Sequence, residues 1–200
     1  MVETYSEPFY NDLDATRIHA LALLVRGAKD RRSALHTLNL ATIGGDGAPR
    51  IRTVVNRGFD QQTRSLRFHT DARAPKLAEL RADSRASAHL YDARAKIQLR
   101  LETRATIHAD DGLREEAWAA TRDFSRICYR VVPTPADVVS DPASIAFTAG
   151  DDPQEGAENF VAVTLKIEVM EWLYLAHQGH RRARYRWDDA GLVQQDWLVP

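Results

Sequence analysis

From residue 13 to 28 the apolar positions Leu13, Ala20, Leu21, Leu24, Val25 and Ala28 recur at helical spacing, with Arg17, Arg26 and Lys29 mostly on the other side. Asp12 or Asp14 is placed to cap the start, so an N-terminal amphipathic helix is expected over 12–30. The period then changes to two. Leu35 to Ile43 reads as a strand, Gly44-Gly45-Asp46-Gly47 as a turn open to positive φ, and Ala48 to Phe59 as the returning strand. A further turn near Asp60 to Thr63 leads into Ser65 to Thr70, giving three strands in tight succession, as in an antiparallel meander.

Pro75 to Arg81 reads as a short helix with proline in its first turn, and Arg85 to Tyr91 as another strand. Ala95 to Ile107 is the clearest strand: Ile97, Leu99, Leu101 and Ile107 alternate with Lys96, Gln98, Arg100, Glu102 and Arg104, which predicts one packed and one polar face. Asp110 to Asp123 reads as a capped helix carrying Leu113, Ala117, Trp118 and Ala120. Residues 131–157 hold Pro133, Pro135, Pro142, Gly150, Pro153 and Gly156 and are expected to be mostly loop. Val161 to Leu175 is a long strand with Val161, Val163, Leu165, Ile167 and Val169 on one face. A last hairpin runs from His180 to Trp187 and from Leu192 to Val199.

About seven strands and three helices, with consecutive strands and few βαβ units, predict a mainly β protein: an antiparallel barrel with helices packed outside. No glycine-rich phosphate loop follows a strand, which disfavours a doubly wound nucleotide fold. The 200 residues suit a single domain over 1–200, with its barrel core over 34–108 and 160–199. Net charge is −1, so no bulk field draws the chain to nucleic acid or a membrane, and any anion site must be local. No apolar run is long enough to span a bilayer. The opening Met1-Val2-Glu3-Thr4-Tyr5 lacks the pattern of a secretory signal, so a cytoplasmic location is expected. The single Cys128, between Ile127 and Tyr129, excludes an internal disulfide and is expected to be a buried, inert thiol.

Four segments could carry chemistry. Pro49 to Arg57 places Arg52 and Arg57 on a strand beside Thr53, and guanidinium forks bind phosphate well. A solvated strand face explains the same residues. Arg52 and Arg57 are also an odd number apart, so a regular strand points them to opposite faces. Phe68-His69-Thr70 running into Ala74-Pro75-Lys76 joins a strand end to a helix start, where anions settle, although an ordinary helix start reads the same way. The Gln98 amide both donates and accepts, which suits a ring with carbonyl and N–H edges, or simply solvent. Arg182, Arg184 and Arg186 share a strand face and repel one another unless an anion or carboxylate lies near. Trp172 could cover a flat ring or fill the core. No metal-ligand spacing links the histidines, and no serine lies in a nucleophile elbow.

In this order, the segments resemble the pyridoxamine 5′-phosphate oxidase superfamily, and within it the cyanobacterial-type branch of FMN-binding homologues. Arg52-Thr53-Val54-Val55-Asn56-Arg57 resembles that family's first flavin block. Phe68-His69-Thr70 resembles the second, Ala74-Pro75-Lys76 the third and Lys96-Ile97-Gln98 the fourth. Trp172 and a C-terminal arginine, Arg182 or Arg184, resemble the pair that closes over the flavin.

The resemblance implies an antiparallel split β-barrel with flanking helices, working as a homodimer with FMN between the subunits and oxidising or reducing a small molecule. It implies that Arg52, Arg57 and Lys76 hold the phosphate, that Gln98 meets the isoalloxazine edge, and that Thr53, Val54, Val55, Asn56, His69 and Thr70 complete the cofactor site. Three departures argue against a vitamin B6 substrate. Pro75 replaces an arginine of the third block. Arg122 stands at the substrate tyrosine, four residues before Arg126, which matches the substrate arginine. Arg181-Arg182-Ala183 lacks the histidine of the C-terminal pair. A carrier or sensor of the same fold, holding flavin or haem without turnover, is the alternative. A flavin-free barrel binding polyanions is a third reading.

Overall fold

The computed structural model describes residues 7–148, 152–177 and 179–200. The opening pentapeptide and Gly150 of the expected loop lie outside the described residues.

The N-terminal helix α1 (Leu13–Lys29) begins at Asp12, whose carboxylate accepts from the Ala15 N–H at 2.7 Å. Its buried face carries Ala20 and Leu24. Tyr185 anchors it, donating its hydroxyl to the Leu13 carbonyl at 2.8 Å. Gly27 lies against the Leu35 backbone so closely that a Cβ would collide with the Leu35 carbonyl.

The strands are β1 (Thr37–Ile43), β2 (Pro49–Val55), β3 (Gly58–Asp60), β4 (Ser65–Asp71), β5 (Arg85–Asp92) and β6 (Ile97–His108), with helix α2 (Pro75–Ala82) between β4 and β5. The expected strand 48–59 is therefore two pieces. Asn56 breaks it: its side chain turns inward, donates to the Leu24 carbonyl and accepts from the Gly58 N–H, both at 3.2 Å. The expected helix over 110–123 is likewise α3 (Gly112–Ala119) followed by the single turn α4 (Asp123–Arg126), separated where Arg122 takes an extended conformation. Within the expected loop, β7 (Val131–Val132) and β8 (Ala146–Phe147) pair as a two-stranded ribbon. The long β9 (Phe160–Tyr174) and the hairpin β10 (Arg181–Trp187) and β11 (Leu192–Leu198) complete the chain.

Nine of these strands form one antiparallel sheet: seven run in the order β11-β10-β9-β6-β5-β1-β2, and β4 branches off β9 with β3 paired to it. β9 pairs along its length with β6; on its other edge its first half pairs with β4 and its second half with β10. One strand thus feeds two diverging sheet edges, and the sheet curls around a core that includes Leu38, Leu40, Leu66, Leu99, Leu101 and Leu165. Burying each such side chain contributes roughly 1.5–3 kcal/mol. A second cluster, Ala117, Trp118, Tyr129, Phe160 and Ala162, lies under α3, so both faces of the start of β9 are covered.

The alternation expected for β9 holds only to Ile167. Across β6, Thr103 faces Ile167 and Glu102 faces Val169, which leaves Glu168 as a bulge. The one-residue insertion exchanges the two faces. Met170 and Trp172 enter the core, and Val169 moves to the face shared with Glu171. No helix among the described residues is long and apolar enough to cross a membrane.

Candidate functional site

Arg52 lies opposite Leu40, in the row that continues through Ala88 and Leu101, and so faces the core side of the sheet. There α2 covers it. Its Nη2 donates to Glu79 Oε2 at 2.7 Å and its Nη1 to Thr42 Oγ1, while Thr42 donates to the same Glu79 oxygen at 2.5 Å. Lys76, in the first turn of α2, donates from Nζ to Thr70 Oγ1 at 3.0 Å and has no carboxylate partner among the described residues. Burial first, and then the positive charge of Arg52, hold the Lys76 ammonium below its usual pKa; Glu79 and Asp71 offset part of this. Two cations and a hydroxyl, drawn from β2, β4 and the start of a helix, therefore meet with their charge only partly compensated. Glu79 and Thr42, which orient Arg52, carried no signal in the sequence because they belong to no recognised block.

The donor set fits a phosphate. Lys76 offers two further N–H groups, and the guanidinium keeps donors beyond those held by Glu79 and Thr42. A dianion here would cancel the repulsion that now lowers the Lys76 pKa.

A second set stands on the opposite, outer face. Gln98, Leu173 and Arg182 form one row across β6, β9 and β10. The adjacent row runs Thr53, Asn39, His89, Arg100, Glu171 and Arg184. Glu171 accepts from Arg182 at 2.7 Å and from Arg100 at 3.2 Å, and Arg184 donates to Asp196 at 3.3 Å, so two of the three β10 arginines, Arg182 and Arg184, meet a carboxylate. Thr53 is exposed and hydrogen-bonds Asn39 at 3.0 Å. The exposed Ile51 and Ile43 border this face.

Arg57 and His69 belong to neither set. Alternation along β4 turns Thr70 inward and His69 outward, and Arg57 follows the break at Asn56. Together with Arg67 they line a cleft of about 460 Å³ between the end of α1 and the α3–α4 turn. Burial, then the charges of Arg67 and Arg57, push the His69 pKa down to about 3, so its ring is neutral. The convergence of Arg57 with Arg52 and Lys76 implied by the resemblance is thus absent within the chain, because Arg57 lies beyond the end of β2, after the break at Asn56.

Other expected site residues are committed to the fold. Val54 is a core residue, the Asn56 side chain is fully buried, and Val55 is half-buried at the end of β2. Trp172 is fully buried between core rows, its ring 6.3 Å from that of Tyr174; the β9 bulge places it there. Arg126 is buried under Trp118, 4.6 Å from the ring centre, and donates to the Pro153 and Trp118 carbonyls. Cys128 is exposed at the cleft, contrary to the expectation of a buried thiol, because the turn after α4 points it outward while Tyr129 packs inward.

Residues 20–109 match the sequence profile described as the pyridoxamine 5'-phosphate oxidase FMN-binding domain. The chain is 30% identical over 145 residues to pyridoxine/pyridoxamine 5'-phosphate oxidase 2 of Arabidopsis thaliana, covering 69% of this chain and 73% of the relative. Its fold is similar to that of a pyridoxamine 5'-phosphate oxidase-related, FMN-binding protein of Nostoc punctiforme. That match has a TM-score of 0.77 and 26% identity, over 91% of this chain and 96% of the other. It is also similar to PhzG of Burkholderia lata, solved with tetrahydrophenazine-1-carboxylic acid, with a TM-score of 0.73 and 20% identity over 100% and 99% of the two chains. The chain belongs to the pyridoxamine 5'-phosphate oxidase FMN-binding family, with the mostly antiparallel split-barrel fold of its structural relatives.

Proposed function

We propose that the protein is an FMN-dependent oxidoreductase acting on a small molecule as a homodimer, with each flavin held between two copies of the chain. The carrying observation is the division of the site between two faces. Arg52, Thr70 and Lys76 gather on the core side under α2, whereas Gln98, Arg182 and Arg184 stand on the outer face of the same sheet. One planar, phosphate-tailed ligand meets both sets when a second copy lays its outer face beside the first copy's α2.

In this arrangement Arg52, Lys76 and the Thr70 hydroxyl bind the phosphate, and Gln98 of the second copy orients the ring edge through its paired donor and acceptor. Arg182 or Arg184 of that copy, already oriented by Glu171 and Asp196, adds positive charge beside the ring. The flavin supplies hydride or electron transfer; the chain positions it and sets its electrostatic surroundings.

The substrate is a small molecule other than a vitamin B6 phosphate. Arg126, at the position of the family's substrate arginine, is buried against the Trp118 ring and donates to two backbone carbonyls. The visible spectrum of the purified protein, with the flavin identified after denaturation, tests the reading. FMN that is reduced by NAD(P)H and reoxidised within turnover times supports the oxidoreductase. FMN without turnover supports a carrier or sensor, and a colourless protein that takes up no FMN overturns both.

A further inference from the structure

The outer side of the first half of β9 carries a hydrogen-bonded relay that the flavin reading does not use. Val163 and Leu165 are fully buried in the core, so Thr164 between them points away from it. Thr164 lies opposite Arg67 of β4 and Thr106 of β6, and His108, two residues after Thr106, shares that face. The Thr164 hydroxyl meets His108 Nε2 at 2.9 Å, and His108 Nδ1 meets Asp111 Oδ2 at 2.6 Å. The Arg114 N–H first, and then the His108 hydrogen bond, hold the Asp111 carboxyl below its usual pKa, so it is ionised. A carboxylate only accepts. In the neutral ring Nδ1 therefore carries the proton and donates it to Asp111, and Nε2 is left to accept from the Thr164 hydroxyl.

Capping α3 does not account for this arrangement. Asp111 caps the helix through its other oxygen, Oδ1, which accepts from the Arg114 N–H at 3.0 Å, and that bond needs neither the ring nor the hydroxyl. Thr164 and His108, both half-buried, line a pocket of about 470 Å³ together with Phe59, Asp60, Arg67 and Leu113. A hydroxyl, a base and an orienting carboxylate in hydrogen-bonded series, open to a pocket, is the arrangement that activates an oxygen nucleophile. The Arg67 guanidinium packs over Gly58 in the same pocket, and its buried Nε has no hydrogen-bond partner among the described residues. It is the donor available to an oxygen that gains charge beside Thr164. Arg67 and Asp60 balance each other, so the lining favours an uncharged ligand, and Phe59 and Leu113 offer it apolar surface.

We propose that Thr164, His108 and Asp111 form a second, hydrolytic centre for small uncharged carboxylic esters, with Thr164 as its nucleophile. The pocket volume suits a small molecule. Thr164 Oγ1 attacks the ester carbonyl carbon while its proton passes to His108 Nε2, and Arg67 donates to the carbonyl oxygen as it becomes negative. The bond to the alcohol oxygen then breaks, and Nε2 returns its proton to that oxygen, so the alcohol leaves and the acyl group stays on Thr164. Water attacks the acyl carbon, giving a proton to Nε2. The bond to Thr164 breaks, its oxygen takes that proton back, and the carboxylic acid is released. Asp111 holds the ring in the tautomer and orientation that both halves need. The inference goes beyond the flavin reading and does not depend on it.

The experiment treats the protein as purified with diethyl para-nitrophenyl phosphate, an uncharged ester whose transfer to a nucleophile stops at the phosphorylated side chain, and locates the label by peptide mass analysis. Hydrolysis of para-nitrophenyl acetate is followed in parallel. The label should fall on Thr164, and the labelled protein should lose its hydrolysis of the acetate ester. Thr164→Val and His108→Gln should each slow hydrolysis at least about a hundredfold, the lower end for a positioned base, with FMN content unchanged. Asp111→Asn keeps a residue that caps helices well and removes the charge behind the ring, so it should slow hydrolysis at least about tenfold. A label on another residue, no label at all, or the parent rate in any one of the three variants overturns the proposal. Labelling is read on the parent protein, so it decides the matter even if a variant misfolds. FMN content, read separately, reports on the flavin reading alone.

Discussion

Arg52 and Gln98 stand on opposite faces of one sheet: Arg52 shares a row with the core residues Leu40, Ala88 and Leu101, while Gln98 points away from the core position Leu99. No side-chain motion within a protomer brings them to a common ligand. The homodimer proposed above brings the two sets to one flavin by pairing Arg52 of one copy with Gln98 of the other.

The cradle has a direct consequence. Arg52→Ala and Lys76→Ala should each raise the Kd for FMN by about tenfold to a hundredfold, the scale of one lost charge-assisted hydrogen bond. Reconstitution of the apoprotein, followed by flavin fluorescence, measures this. Parent-like Kd values in both variants would remove the phosphate from this position.

Arg57→Ala should behave differently, since its side chain lines the other cleft. Its FMN affinity should stay within about twofold of the parent, well under the loss of a direct phosphate contact.

His69 gives a pH signature. Its pKa in the folded chain is about 3, against 6.5 when unperturbed. As pH falls below 6.5 the unfolded chain takes up this proton and the folded chain does not, so stability drops with falling pH between 6.5 and about 3. Above 6.5 the residue contributes no slope. Urea melts at pH 7 and pH 5 should show a smaller loss in His69→Gln than in the parent, and the His69 ring resonances should show no titration at pH 5. A ring that titrates near pH 6 would contradict the neutral assignment.

Trp172 separates core from ligand roles. Trp172→Ala should cost about 3–5 kcal/mol in denaturant unfolding, as for other fully buried large aromatics. Trp172→Phe should keep FMN affinity close to the parent's. A large affinity loss with little loss of stability would put the ring back on the flavin.

The strands of the barrel, though not their order in the sheet, were legible because alternation is strict where one face is packed and the other polar, as in Ile97-Gln98-Leu99-Arg100-Leu101. The phosphate cradle was legible in part: Arg52, Thr70 and Lys76 come together, whereas Arg57 lines the other cleft. What stayed hidden depends on single residues. The Glu168 bulge reverses every later side chain of β9, and no local residue preference announces it. The inward turn of Asn56 depends on the Leu24 carbonyl of a distant helix. The meeting of Arg57, Arg67 and His69 at the cleft carried no signal either, because it is made by tertiary contacts.

Co-expression of differently tagged Arg52→Ala and Gln98→Glu chains tests the shared site most directly. In the mixed dimer one interface joins the two damaged residues and the other joins intact Arg52 to intact Gln98. The account predicts one tightly held FMN per mixed dimer at a flavin concentration where neither variant homodimer holds any. Mixed dimers as empty as the homodimers, or a purified protein that is monomeric with flavin bound, would contradict it.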